Sequence, residues 1–264
     1  MQESPQPASQ QLVIRIGQST LALLLHDGHQ IAHYEETVMR SGISTAANLR
    51  DWLKAQPLLM APHATTTILL HTPTLIVPLD EFDTADTNAL YTYTFSGHDR
   101  DVVTHTVLND RHAVVVFGID KDLDTVLTDQ YGSCRWLPVC LPVWRRMGGR
   151  GGHHRERQRL HVYFHDGQAD VFSFNGSHFK FSNQFPATHA KDALYYVLNA
   201  FTQQGMKATR DEVVVLGALP NRKWFVEQLG QYVGSVTVPE LSTTQPDTSA
   251  WPTMPADLIF AINP

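Results

Sequence analysis

The chain has 264 residues, a hydrophobic fraction of 42% and a formal net charge of −6. That length allows one large domain or two small ones, and the acidic balance gives no reason to expect a nucleic-acid partner. No apolar run approaches the ~20 residues a membrane helix needs. Cys134 and Cys140 are the only cysteines. On a single strand they would stand ~20 Å apart, beyond disulfide reach, so reduced thiols in a cytoplasmic protein are expected.

Residues 1–11 are polar, contain Pro5 and Pro7, and lack the basic and apolar regions of a signal peptide. They read as a disordered tail. Residues 12–38 then read as a three-strand meander, with Asp27-Gly28 as a turn. A helix follows over 44–56, capped by Ser44 and stopped before Pro57. Residues 66–72 form a fourth strand. Asp80, Glu81, Asp83 and Asp86 mark an acidic, solvated loop without the ligand spacing of an EF-hand. Tyr91, Tyr93 and Phe95 alternate with threonines, which predicts a strand over 90–95. Strands over 101–108 and 112–118 are joined at Asn109-Asp110. A helix over 121–131 and a strand over 133–140 complete a first lobe.

From Arg145 to Arg159 six arginines face a single Glu156, with Gly148-Gly149 and Gly151-Gly152 between them. This composition predicts a flexible linker. The sharper reading is an arginine–glycine segment touching RNA phosphates. It lacks interleaved aromatics for base stacking, so nucleic acid is not expected there.

The second part repeats the first. Leu160, Val162 and Phe164 alternate as a strand, Asp166-Gly167 and Asn175-Gly176 as turns, and Phe179 and Phe181 as a third strand. A helix starts near Thr188 with Leu194, Val197, Leu198 and Phe201 on one face. Val213–Leu216 is a buried strand closed by Gly217 and Pro220. Shifting by 148 positions places Leu12, Ile14 and Ile16 on Leu160, Val162 and Phe164, and Ala46, Leu49 and Leu53 on Leu194, Val197 and Phe201. The shared order of turns, helical stripe and strand predicts a duplicated β-β-β-α-β unit. The first lobe spans 12–144 with inserted strands at about 75–118, and the second spans 160–264. The second lobe continues with a helix over 222–232 and a strand over 235–238. Pro239–Pro255 reads as a loop. The type of the element at 257–262 stays open.

No Gly-x-Ser-x-Gly, Walker or His-Glu-x-x-His motif is present. His161 and His165 share a strand face but would lie ~13 Å apart, too far to chelate one ion. No catalytic residue and no metal ligand set are expected. Glu35 and Asp192 stand as lone acids.

Several short motifs carry a family resemblance. They are Ile14-Arg15-Ile16-Gly17, Leu75-Ile76-Val77-Pro78 with Phe82, Leu90-Tyr91, Val116-Phe117-Gly118-Ile119-Asp120, Asn183-Gln184-Phe185, Asp192-Ala193-Leu194-Tyr195-Tyr196 and Leu216-Gly217. They cover most of residues 12–230, and on them the chain resembles an uncharacterised bacterial family, domain of unknown function 3822. The resemblance implies the actin/Hsp70-like plan: an α/β fold of two RNase H-like lobes with mixed sheets, each β-β-β-α-β-α-β. The plan is similar to that of cytoplasmic pilus-assembly scaffolds of the PilM type.

Active members of that superfamily turn the first hairpin of each lobe on an Asp-x-Gly motif, where the carboxylate orders Mg²⁺ and water. In this chain Gly17 and Ser19 fit the pattern, but Arg15 stands at the first aspartate position. The second copy places Phe164 at the carboxylate and Asp166 at the glycine. The adenosine-side Gly-Gly becomes Gly217-Ala218. The resemblance therefore implies a vestigial nucleotide cleft at Arg15, Gly17, Ser19 and Gly217. The expected function is that of a non-catalytic, cytoplasmic protein-binding scaffold that carries no cofactor. The alternative enzyme reading is a divergent ATPase or kinase, with ATP and Mg²⁺ bound through relocated ligands. The third reading is an RNA-associated protein.

Overall fold

The computed structural model describes residues 10–148, 157–239 and 248–262. The first sheet is built on β1 (Gln11–Ile16), β2 (Thr20–His26) and β3 (Ile31–Val38), an antiparallel meander. Helix α1 (Thr45–Ala55) follows, with Ser44 Oγ accepting from Ala47 N at 3.2 Å as its cap. Gln56 ends it, and Pro57 opens the short α2 (Pro57–Met60). Strand β4 (Thr65–Leu70) then pairs parallel to β1.

The insertion comprises β5 (Thr74–Pro78), α3 (Thr87–Thr94), β6 (Val102–Leu108) and β7 (Ala113–Ile119), with sheet order β5-β7-β6. Helix α4 (Lys121–Tyr131) and strand β8 (Arg135–Pro138) return to the main sheet, and α5 (Cys140–Met147) closes the lobe.

The second sheet repeats the plan with β9 (Arg159–His165), β10 (Gln168–Asn175), β11 (His178–Pro186), α6 (Ala190–Gln203), β12 (Glu212–Gly217), α7 (Arg222–Tyr232) and β13 (Val236–Thr237). The orders are β3-β2-β1-β4-β8 and β11-β10-β9-β12-β13. The repeated strands β1 and β9 are thus central in both. The register preserves the offset read from the sequence: Leu12 faces Leu25, and Leu160 faces Ser173.

Several elements differ from the sequence reading. Residues 90–95 lie in and just beyond α3 and are not a strand. The alternation of Tyr91 and Tyr93 misleads, because Tyr91 is buried while Tyr93 is 94% exposed. A helical turn instead sets Tyr91 beside Phe95, ring centroids 5.0 Å apart. Thr188 is not the cap of α6; His189 holds that position without a side-chain cap bond. Cys134 and Cys140 do not share a strand, since Cys140 begins α5; both thiols are free. The segment read as a linker is partly ordered: Arg145 and Arg146 belong to α5, and Arg159 opens β9. Its centre, 149–156, lies outside the described residues, as do most of the expected tail and 240–247 of the expected loop.

The element at 257–262 is helix α8 (Ala256–Ile262). Sequence position assigns it to the second lobe, yet it packs on α5 and β1 of the first. Leu258, Ile259 and Phe260 join the core formed by Leu12, Ile14 and Trp144. The second lobe has a core around Phe164, Val197 and Phe225, while its Tyr163, Phe172 and Leu216 are buried in the first lobe's core, with Phe172 edge-on to Trp144 at 6.2 Å. At the periphery the insertion touches the second lobe, where Arg111 lies over Phe174 at 5.0 Å and His112 stacks on His178 at 4.4 Å.

Candidate functional site: a cleft filled by its own ion pairs

Strand β1 carries one charged residue in an otherwise apolar run, Arg15, and it is only 2% exposed. A buried guanidinium needs partners, because its desolvation costs far more than a surface charge repays. Arg15 has two. Its Nε donates to both carboxylate oxygens of Asp257 on α8, at 3.0 and 2.9 Å. Its Nη2 and Nη1 donate to Asp166 at 2.6 and 3.3 Å. Asp166 sits at the β9–β10 turn with φ of 47°, a left-handed conformation that Asp tolerates. Gln18 N also donates to Asp166 Oδ1, at 3.2 Å.

The network continues into the second lobe. His165 donates or accepts at both ring nitrogens, 3.0 Å from Asp166 Oδ2 and 2.8 Å from Asp170 Oδ2. Gln184 Nε2 donates to Asp170 Oδ1 at 2.9 Å. Tyr163 OH donates to Asp257 Oδ2 at 2.9 Å. Burial opposes the charge on His165, but Asp170 and Asp166 outweigh it and push the imidazole up to about 10. Burial likewise opposes ionisation of Asp166, yet the His165 and Arg15 bonds hold its carboxyl well below the usual carboxylate range. Burial, and then the charge on His165, push the His71 imidazole down from its ordinary value; its ring meets that of His165 at 5.7 Å.

Of the four residues expected at the cleft, the structure brings Arg15 and Gly17 together. A Cβ on Gly17 would lie 2.3 Å from Asp166 Oδ1 and 2.7 Å from Arg15 Nη1, so the turn and the ion pair fill the same space. Ser19 is exposed; its carbonyl accepts from Met39 N at 2.8 Å. Gly217 serves a backbone contact. Its φ is +88°, and a Cβ there would stand 2.1 Å from Phe164 O. The sheet register also corrects one correspondence: Arg15 faces Leu69 and Tyr163 faces Leu216, so Tyr163 and not Phe164 is the counterpart of Arg15. Phe164 turns into the second core against Phe225.

Sequence reasoning missed Asp257, His165 and Asp170 as members of this network. The one available signal was an acid at the head of the apolar run Leu258-Ile259-Phe260, since an acid in a buried helix calls for a partner.

The residues present do not fit a nucleotide with its metal. Asp166 and Asp257, the carboxylates beside Arg15, are held by Arg15 and His165 in charge-assisted bonds and so are not free as oxygen ligands for Mg²⁺. Among the described residues no group of three or more His, Cys, Asp or Glu is placed to hold a metal ion. A groove of about 530 Å³ does adjoin the cleft. It is lined by Gly17, Gln18, His71, Asp101 and Asp122 among others and includes neither Ser19 nor Gly217.

Two duplicated lobes with β1 and β9 central in their sheets, joined through Arg15, Asp166 and Asp257, have the actin-like ATPase fold. The chain belongs to the family described as "Protein of unknown function (DUF3822)", matched over residues 2–236. It is similar to a protein of Bacteroides thetaiotaomicron with actin-like ATPase fold and unknown function: 18% identity, TM-score 0.86, covering 99% of this chain and 98% of that one. It is also similar to the PilM–PilN type IV pilus biogenesis complex, at 14% identity and a TM-score of 0.57, with 99% and 96% coverage. No curated protein sequence matches it. Among the described residues no helix is long and apolar enough to cross a membrane.

Proposed function

We propose that this chain is a non-catalytic actin-like protein of the cytoplasm that acts by binding another protein. One observation carries the reading: Arg15, standing where a metal-ordering carboxylate is expected, is saturated by Asp166 and Asp257. Phosphoryl transfer depends on positioned phosphate, metal and water. At the Arg15 network the charges already neutralise one another, so no free carboxylate remains there for a metal. The resemblance in fold to PilM, which is found in complex with PilN, agrees with a binding role at the level of architecture.

The test is ATP hydrolysis by the purified protein against a heat-killed control. No turnover above that control is expected. Turnover that survives rigorous purification and changes in Arg15→Ala overturns the reading in favour of a divergent ATPase or kinase.

A further inference from the structure

A sheet edge leaves a row of backbone groups unpaired and invites another chain unless something blunts it. Among the described residues the edge strands are β3, β8, β11, β13, β5 and β6. All but the last are blunted. Strand β3 carries Glu35 and Glu36 and shifts register against β2. Strand β11 carries Lys180 and shifts register against β10. Strands β8 and β13 have four and two residues, and β5 ends in Pro78. Strand β6 has seven residues, no charge, no proline and an unbroken register with β7.

The sequence of β6 also matches itself. Val103-Thr104-His105-Thr106-Val107 reads the same in both directions. Antiparallel pairing of two copies about His105 sets Val103 opposite Val107, Thr104 opposite Thr106, and Val102 opposite Leu108, each contact made twice. Thr–Thr and β-branched pairs are favourable across a ladder. Val102 and Val107, 41% and 40% exposed, would gain apolar neighbours. The charges match as well. Arg100 and Asp110 are both exposed and stand equally far along the chain from His105. Pairing about His105 therefore brings opposite charges together at each end.

We propose that β6 is a homodimer interface, at which two copies of this chain pair antiparallel and join their insertions into one continuous sheet. A two-fold contact of this kind closes on itself, so it gives a dimer and not a fibre. The inference goes beyond the proposed binding role and stands whether or not that role is correct.

Sedimentation of the full chain over ~1 μM to ~1 mM should show a monomer–dimer equilibrium. Val107→Lys gives this edge the kind of charge that protects others, and should weaken the dimer at least ~tenfold. Cysteine cross-linking reads the register, in full chains that also carry Cys134→Ser; Cys140 is only 5% exposed. In the paired strands the two copies of residue 105 would stand ~4.5–5.5 Å apart between Cα atoms, within disulfide reach. The two copies of residue 103 would stand ~14 Å apart. On mild oxidation His105→Cys should form a covalent dimer, and Val103→Cys alone should not.

Three results overturn the interface: a monomer at every concentration, a dimer indifferent to Val107→Lys, or His105→Cys cross-linking no faster than Val103→Cys. If Val107→Lys fails to fold, the two cysteine variants decide.

Discussion

Arg15 and Tyr163 hold the same place in the two repeats, and both reach the same carboxylate. Arg15 Nε and Tyr163 OH each lie 2.9 Å from Asp257 Oδ2. The duplicated strand therefore presents a cation in one copy and a neutral donor in the other, and one acid serves both. This asymmetry sets what each substitution should do.

Arg15→Ala should be strongly destabilising. It leaves Asp166 and Asp257 facing one another, with side chains 4% and 0% exposed. Removing one partner of a buried ion pair costs roughly 3–5 kcal/mol. Urea denaturation of the variant should show a lower midpoint with little change in slope. Stability within 1 kcal/mol of wild type would mean that the carboxylates find water or protons at low cost.

Stability should fall as pH rises above neutrality. His165 is held protonated up to about 10 in the folded chain, while the unfolded imidazole gives up its proton near 6.5. Between those values the folded state binds the extra proton, so each pH unit removes up to about 1.4 kcal/mol. The gain is complete below about 6.5 and gone above the folded value. Asp166 acts in the opposite sense. Its depressed carboxyl stabilises the fold above the ordinary carboxylate range, and that is lost as acid protonates it. In His165→Gln the alkaline slope should flatten, and the acid limb should shrink to what Arg15 alone holds on Asp166.

Two glycine substitutions should move stability in opposite directions. Gly17→Ala places a methyl 2.3 Å from Asp166 Oδ1 and should cost roughly 1–3 kcal/mol, as overpacking does. Gly230 lies in α7, and a Cβ there meets nothing within 4 Å. Gly230→Ala should raise stability by about 0.5–1 kcal/mol. Thermal melting of the pair separates the crowded turn from simple helix propensity.

Adding ATP and Mg²⁺ should leave the melting midpoint unchanged. A ligand at a hundred times its Kd would stabilise the folded state by about 2.7 kcal/mol, a shift that a melting curve resolves easily. A rise that disappears in Arg15→Ala would show phosphate binding at the cleft.

Much of the fold could be read from local pattern. Helices α4 and α7 fall at 121–131 and 222–232 as the spacing of Leu123, Val126 and Leu127 and of Phe225 and Leu229 implies. The repeat could be read because β1 and β9 keep one register against their partners. What could not be read depended on distance along the chain. Arg15 by itself signals a cleft without a metal-ordering acid, but its partners lie 151 and 242 residues away. Nothing local in Pro255-Ala256-Asp257 announces which strand that acid will meet. The misassigned strand at 90–95 failed for another reason, because alternation over so few residues cannot tell a half-buried strand from a helix with one buried tyrosine.

The 242-residue separation of Arg15 from Asp257 also fixes an order of events during synthesis. At ~5–20 residues per second the ribosome needs on the order of ten to fifty seconds between the two. Through that interval β1 has its hairpin partners but lacks Leu258, Ile259 and Phe260 above it, and its guanidinium can meet only Asp166, 151 residues on, and not Asp257. The lobe that is translated first is therefore the one completed later, while the second lobe, whose core uses residues between Leu160 and Val238, can close ahead of it. A nascent chain stalled between those points should hold a folded second lobe and a first lobe still open to chaperones.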